Sequence, residues 1–141
     1  MPESNAISSF GTLLQRGDGA DPEVFSTIAE VKDIKPPALS ADTEEVTHQD
    51  SPGGWKEYLS TLLDGGEVTF DLNFIPTDTG HLALITDMTN RVKRNFKVIF
   101  PDGTPWSFTA LVTGFEPDAP VSGKLSASVT LKVSGQPTFG A

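Results

Sequence analysis

Histidine is the side chain that most often serves acid–base catalysis and metal binding near neutral pH, and this chain of 141 residues has two, His48 and His81. His48 and nearby Asp50 supply two candidate ligands, fewer than the three or four of a zinc site. His81 lies in the first turn of a predicted helix, where packing or hydrogen bonding is the better interpretation. No strand–turn–helix segment of the kind that presents a nucleophilic serine accompanies the many serines. We therefore predict no enzyme, no catalytic residue, no metal and no cofactor.

Three short motifs also have ordinary structural interpretations. The run Asp18-Gly19-Ala20-Asp21 lacks the ligand spacing of a calcium loop. Arg16-Gly17-Asp18 spells an adhesion tripeptide, but three residues recur often by chance, and we interpret it as a tight turn. The basic cluster Arg91, Lys93 and Arg94 is typical of a solvated helix end, where cations interact favourably with the helix dipole.

The composition indicates one acidic domain. Lys and Arg number 10 against 19 Asp and Glu, which gives a formal charge of -9. Tight binding to nucleic acid needs clustered cations, so this balance argues against it. There is no cysteine, which excludes a disulfide framework and a thiolate metal site. No run approaches the roughly 18 apolar residues of a membrane span, and the N-terminus has no signal-peptide pattern. We expect no membrane partner.

The elements that would position any site are mainly strands, because apolar and polar residues alternate along four segments. Their apolar members are Val68, Phe70, Leu72 and Phe74; Phe96, Val98 and Phe100; Trp106, Phe108, Ala110 and Val112; and Leu125, Ala127, Val129, Leu131 and Val133. Pro101-Asp102-Gly103-Thr104 predicts a turn between two of them. A shift of one residue would expose each apolar set, so the register is well specified. The pattern predicts a sheet with one apolar face.

One helix is predicted, at about residues 78–90. Thr77 can cap its start, and Leu82, Ile85 and Met88 repeat along one face with Leu84 beside them. We expect that face to cover the apolar side of the sheet.

The remaining segments are polar or lack alternation, so their predictions rest on weaker patterns. They are an N-terminal arm at 1–22, a first strand at 24–34, a long loop at 38–57 with a candidate strand at 44–48, a short helix at 56–63, and a C-terminal tail at 134–141. Loops as long as 38–57 are usually functional or disordered. Because this loop has little apolar surface of its own, we expect it to become ordered only against a neighbouring subunit.

Taken together, these segments resemble the tail tube proteins of bacteriophages with long, non-contractile tails. The resemblance lies in their order and spacing over nearly the whole chain. It is carried by Gly11-Thr12-Leu13-Leu14, Arg16-Gly17-Asp18-Gly19, Phe25 to Val31, Leu39 to His48, Gly54-Trp55-Lys56-Glu57, Asp64 to Val68, the helix, Phe100-Pro101-Asp102-Gly103 and Val129 to Pro137.

This resemblance implies a mainly β fold, a single β-sandwich or barrel domain over 1–141 with one flanking helix. It further implies that six copies form a ring by extending their sheets into one another, and that rings stack into a hollow tube through which the genome leaves the capsid. The implied partners are other copies of the chain and the tape-measure, tail-tip and tail-terminator proteins. DNA would pass through without tight binding. The implied location is the virion tail, assembled in the host cytoplasm.

Two sets of residues are candidates for assembly roles under this interpretation. Candidate contacts within and between rings lie in the arms and the long loop: Phe10, Leu13, Arg16, Asp18, Asp42, Glu44, Glu45, His48, Trp55 and Phe139. Candidate lumen residues lie on the polar sides of two strands: Thr69, Asp71 and Asn73, and Ser126, Ser128 and Lys132. The sequence leaves open which of these two polar sides lines the lumen.

Three other functions stay open at this point. A head–tail connector or tail terminator forms single rings, often on the same kind of fold. A non-viral β-sandwich binding module would present clustered aromatic residues, whereas here only Trp55 and Tyr58 lie outside predicted inward positions. A hydrolase would need paired carboxylates or a histidine in a cleft.

Overall fold

The computed structural model describes residues 4–140 and confirms a mainly β fold with one helix, with 47% of the chain in strands. The strands are β1 (Leu13–Gly17), β2 (Phe25–Thr27), β3 (Val31–Lys35), β4 (Ser40–Glu45), β5 (Tyr58–Asp64), β6 (Glu67–Asn73), β7 (Lys93–Ile99), β8 (Pro105–Asp118), β9 (Ser126–Val133) and β10 (Thr138–Phe139), and the helix is α1 (Thr79–Asn90). Among the described residues, no helix has the length and apolar character that crossing a membrane requires.

The main sheet is antiparallel and curls back on itself. Its strand order is β2-β1-β7-β8-β9-β6-β3, and β10 pairs with β8. The two outermost strands, β2 and β3, are consecutive in the chain. Their connection is tied to both ends of the sheet, since Ile28 N–H donates to the Leu14 carbonyl and Asn73 N–H to the Glu30 carbonyl, both at 2.9 Å. A three-residue connection can join the two ends of the sheet only if the sheet is strongly curved.

The core lies on the concave side of this sheet, where the alternating segments place their apolar residues as predicted. The residues with almost no exposed surface include Val68, Phe70, Leu72, Phe96, Val98, Val129 and Leu131. From α1, Leu84 joins the same cluster. The helix thus covers the apolar side of the sheet, as the sequence indicated.

The buried side of α1 differs from the prediction. Asp78, not Thr77, caps the helix, because its carboxylate accepts a hydrogen bond from His81 N–H. The buried residues are His81, Leu84 and Asp87, while Leu82 is 44% exposed. Apolar periodicity missed this stripe because two of its three members are polar and are satisfied by partners outside the helix.

The predicted helix at 56–63 is wrong, and the predicted loop at 38–57 is shorter than expected, because a strand at Ser40–Glu45 occupies its first part and overlaps the candidate strand at 44–48 only at Glu44 and Glu45. β4 and β5 pair with each other in a separate two-stranded sheet, and Pro52–Gly54 forms a 3₁₀ turn between them. The register shifts between Ala41 and Thr43, so apolar residues of β5 do not alternate regularly. That irregular spacing gave the segment its helical appearance.

The terminal segments are also more structured than the predicted arms. Residues 13–17 form β1 between β2 and β7, and Leu14 is buried in the core. The predicted strand at 24–34 is divided into β2 and β3 near Glu30, which has a φ of 61°. In the predicted C-terminal tail, β10 pairs with Trp106 and Ser107 near the start of β8. The rings of Phe139 and Trp106 meet edge to face, with their centroids 4.7 Å apart.

Candidate assembly surfaces

His81 has a structural role, as its position in the sequence indicated. The ring is fully buried and bridges two backbone groups: Nδ1 accepts from Ile75 N–H at 3.1 Å, and Nε2 lies 2.7 Å from the Ala29 carbonyl oxygen. Because Nδ1 accepts, the hydrogen must be on Nε2, which donates to Ala29. Nε2 therefore ties α1 to the connection between β2 and β3, and Nδ1 holds the segment between β6 and α1.

His48 lies at the tip of the hairpin formed by β4 and β5. Its Nε2 is 3.4 Å from a carboxylate oxygen of Glu57, and that same oxygen accepts from Ser51 Oγ at 2.6 Å. The backbone N–H of Asp50 donates to His48 Nδ1 at 3.2 Å. Across residues 4–140, no group of three His, Cys, Asp or Glu side chains is placed to hold a metal ion. Hydrogen bonds within the hairpin hold its tip together, and the expectation that this segment becomes ordered only against a neighbouring subunit stays a prediction.

Arg16, a predicted contact residue, is engaged within its own chain. Its guanidinium donates to both carboxylate oxygens of Asp87, at 2.6 and 2.9 Å, and Arg94 Nε donates to the same carboxylate at 3.1 Å. Asp87 is 2% exposed. This network joins β1, α1 and β7, and the role of Arg16 as a subunit contact stays a prediction. The interpretation of Arg94 as part of a solvated helix end is wrong, because Arg94 lies in β7 and pairs with the buried Asp87.

The tight turn predicted at Arg16-Gly17-Asp18 is wrong, because Arg16 and Gly17 belong to β1; Asp18 instead closes the loop that follows this strand. Its carboxylate accepts from Ala20 N–H at 2.9 Å and from Val24 N–H at 3.1 Å. These two hydrogen bonds, that of Ala20 first, lower the pKa of Asp18 below its ordinary value. Asp18 therefore holds its own loop, and its role as a subunit contact stays a prediction.

The two sets of candidate lumen residues form one surface. In β6 and β9, Asp71 lies opposite Ser128 and Asn73 opposite Ser126, and directly opposed residues share a face of the sheet. Ser128 Oγ donates to Asp71 at 2.6 Å. β8 extends the same rows, with Glu116 opposite Ser128 and Asp118 opposite Ser126. We name this surface the polar face; its members from these three strands are Glu67, Thr69, Asp71, Asn73, Glu116, Asp118, Ser126, Ser128, Thr130 and Lys132.

The polar face is acidic in two of its rows and mixed elsewhere. The row of Asp71, Ser128 and Glu116 and the row ending in Asp118 carry no cation on these three strands. Lys132 lies opposite Glu67 and 3.4 Å from Asp64. On the neighbouring β7, Lys97 lies over the Phe25 ring at 4.1 Å. The acidic rows are thus confined to one end of the sheet, while the same face elsewhere carries lysines, including Lys93 opposite Leu111 and Lys35 opposite Thr69.

The hairpin of β4 and β5 exposes a large apolar surface. Every residue of both strands is exposed. The exposed apolar side chains include Trp55 at 78% and Leu63 at 79%, together with Leu39, Val46, Tyr58, Leu59 and Leu62. Apolar surface of this extent on a soluble domain marks a contact with another macromolecule. The contact candidates from the sequence in this hairpin, Trp55, Asp42, Glu44 and Glu45, stay predictions, and they did not include the exposed leucines of β5, which the sequence analysis assigned to a helix.

The two terminal aromatic candidates lie in different settings. Phe10 is 92% exposed and borders a groove of about 810 Å³ between residues 8–13 and β3, which Leu13 also lines. Phe139 borders a smaller groove of about 410 Å³ at the base of the hairpin, with Leu39, Leu63 and Pro137 among its neighbours. Both aromatic rings thus lie next to open apolar grooves.

The fold is a curled antiparallel sheet covered by one helix, with a projecting hairpin that exposes apolar side chains. The chain belongs to the lambda phage tail tube protein family, whose model matches residues 15–140. This confirms the resemblance drawn from the sequence, and the chain is a structural protein of the tail tube. No curated protein sequence matches the chain significantly.

Solved structures of tail components share the fold. The tail of an empty gene transfer agent particle, refined helically with C6 symmetry, matches with a TM-score of 0.76 at 24% identity over 92% of this chain and 96% of that one. A chain of the native gene transfer agent virion matches with a TM-score of 0.78 at 22% identity, over 96% and 100%. The SPP1 tail tube matches with a TM-score of 0.70 at 15% identity, over 92% and 75%. At these identities the likeness concerns the fold.

Proposed function

We propose that this protein polymerises as stacked six-membered rings into the tail tube that conducts the genome to the host. The observation that carries the proposal is the projecting hairpin, whose strands expose Tyr58, Leu59, Leu62 and Leu63. Isolated two-stranded hairpins are marginally stable in water, and this one contributes no residue to the core. A hairpin that costs stability in the monomer and exposes leucines fits a contact made on assembly. The C6 symmetry of the gene transfer agent tail supports the six-membered ring.

The polar face of β6, β8 and β9 is the surface that we assign to the lumen. It includes all six candidates from the sequence, Thr69, Asp71, Asn73, Ser126, Ser128 and Lys132. Its acidic rows at Asp71, Glu116 and Asp118 would repel phosphates and keep DNA from adhering, since binding strengthens with each cation placed along it. The genome would therefore slide through without tight binding.

The candidate contact residues lie outside the polar face that we assign to the lumen. The hairpin, with Asp42, Glu44, Glu45, His48 and Trp55, would contact neighbouring subunits, as would Phe10, Leu13 and Phe139 beside their grooves. The tube would end on tail-tip and terminator proteins and enclose a tape-measure protein. Its location would be the virion tail, assembled in the host cytoplasm.

Electron microscopy of the purified protein over a range of concentrations tests the proposal directly. We expect hollow tubes of stacked rings. Single rings that never stack would instead indicate a connector or terminator, and a strict monomer at every concentration would contradict assembly altogether.

A matched pair of variants tests the role of the hairpin. Leu62→Ser with Leu63→Ser removes two exposed side chains, and Leu82→Ser changes an exposed leucine on α1. Burying one leucine side chain at a subunit contact stabilises that contact by about 1.5–3 kcal/mol. The hairpin variant should therefore need at least about tenfold more protein to assemble. The α1 variant should assemble like the unchanged protein. Equal assembly of the two variants would contradict the assigned role.

A further inference from the structure

Four strands make up a long ribbon that is two strands wide. β3 and β4 follow each other along one side, and β5 and β6 along the other. β3 pairs with β6 and β4 pairs with β5, and the ribbon bends where Pro36 and Pro37 supply no N–H to the ladder. A Cβ on Gly66 would overlap the Ala38 carbonyl oxygen, so this close backbone contact fixes the bend. β6 also pairs with β9, whereas within residues 4–140 the outer edges of β3 and β4 have no strand partner.

The outer edge of β3 borders the groove of about 810 Å³. The opposite wall is the segment 8–13, and the apolar lining comes from Phe10, Leu13, Val31, Ile34 and Phe100. An open strand edge presents a row of N–H and C=O groups that can pair with another strand. A groove with such an edge on one wall and apolar side chains on the other suits an extended strand.

The charges on the two open edges are complementary. β3 carries Lys32 and Lys35 with Asp33 between them, all exposed. β4 carries Asp42, Glu44 and Glu45, also exposed. Opposite charges facing each other across strands are stabilising and like charges are destabilising. Pairing of β3 with β4 is therefore favoured over pairing of either strand with its own copy.

We propose that β4 of one subunit adds to the open edge of β3 in a neighbouring subunit, within the groove closed by residues 8–13. The inference rests on the proposed function, since it identifies the strands through which copies meet. Donor and acceptor strands differ, so the contact is heterologous and generates rings or helical arrays rather than closed dimers. Phe10 and Leu13 would then cover the added strand.

Crosslinking tests this pairing, because the chain has no cysteine of its own. Glu44→Cys and Lys32→Cys subunits are prepared separately, mixed, and treated with a short thiol-specific crosslinker; Asp42→Cys with Lys35→Cys covers a shifted register. We expect at least tenfold more crosslinked dimer in each mixture than in either variant alone. Dimer yields no higher in the mixtures would overturn the proposal.

Charge exchange gives a second readout that does not depend on register. Lys32→Glu with Lys35→Glu, and Asp42→Lys with Glu44→Lys, should each reduce assembly at least tenfold while circular dichroism shows a folded subunit. Combining all four substitutions in one chain should restore assembly. Failure of the combined variant to recover, with each pair folded, would contradict the pairing.

The outcomes separate this inference from the proposed function. If tubes form but the cysteine mixtures give no extra crosslinked dimer and the combined charge variant does not recover assembly, the strand pairing alone is overturned. Single rings with crosslinking overturn the tube while supporting the pairing. Neither assembly nor crosslinking at any concentration overturns both.

Discussion

Arg16 and Asp87, 71 positions apart in the chain, are joined by two hydrogen bonds between one guanidinium and one carboxylate. Arg94 contacts the same carboxylate from β7 and also donates to the Asp18 carbonyl at 3.0 Å. The C-terminal half of α1 is thereby fixed to β1, β7 and the turn after β1. This network lies on the covered side of the sheet, away from the surfaces assigned to assembly.

We predict that Asp87→Ala destabilises the subunit by about 3 kcal/mol, because it leaves two partly buried guanidinium groups without their anion. Chemical denaturation followed by circular dichroism measures the change. Asp118→Ala, at an exposed position at the end of β8, is the control and should stay within about 0.5 kcal/mol of the unchanged protein. Equal effects of the two variants would contradict the role of the network.

His81→Ala should also destabilise the fold, by about 2–4 kcal/mol. The substitution leaves the partly buried Ile75 N–H and Ala29 carbonyl without their partner, where an unsatisfied group costs about 1–3 kcal/mol, and it removes a fully buried ring. Leu82→Ala is the neighbouring control, since that side chain is largely exposed and its loss should have little effect. A stability of His81→Ala close to that of the control would show that water replaces the ring without cost.

The pKa of Asp18 predicts a specific dependence of stability on pH. Its pKa is lowered in the folded protein, chiefly by the hydrogen bond from Ala20 N–H, so the charged carboxylate favours folding. This contribution is present above the ordinary value of 3.8 and is lost as the pH falls through the lower folded value. Asp18→Asn should therefore be less stable than the unchanged protein at pH 7 and nearly equal to it at strongly acidic pH.

Unfolding midpoints of both proteins, measured from pH 7 to strongly acidic pH, test whether the stability difference disappears in acid. Asp21→Asn provides a control from the same loop. A stability difference for Asp18→Asn that persists unchanged in strong acid would mean that the hydrogen-bond geometry, and not the charge, is responsible.

Replacing acidic residues of the polar face should make assembled tubes retain DNA. We expect the unchanged tube to release duplex DNA at physiological salt, and tubes of Asp71→Lys with Glu116→Lys to bind it in a salt-sensitive manner, because each added cation steepens the salt dependence. A gel-shift titration with salt measures both. Thr86→Lys with Asn90→Lys on α1 adds the same number of lysines elsewhere. If the two double variants bind DNA equally, the polar face does not line the lumen.

Local pattern in the sequence determined the central strands and the helix. Val68 to Phe74 and Leu125 to Val133 alternate without interruption, because each has one face in the core and one in solvent. Alternation of this kind needs no knowledge of the partner strand. It also placed Asp71 and Ser128 on polar faces, although only the register of β6 and β9 showed that both belong to the same face.

Tertiary structure alone decided the segments whose residues depend on distant partners. Arg16 lies on the core side of β1, where Asp87 neutralises its charge. Because a charged residue occupies that side, the sequence of β1 does not show the alternation of a half-buried strand. β4 and β5 obtain their backbone partners from each other across an irregular register, and neither has an apolar face packed on the core. The sequence could specify the sheet that buries its own side chains, whereas a hairpin whose two strands are exposed along their whole length has no such periodicity to reveal it.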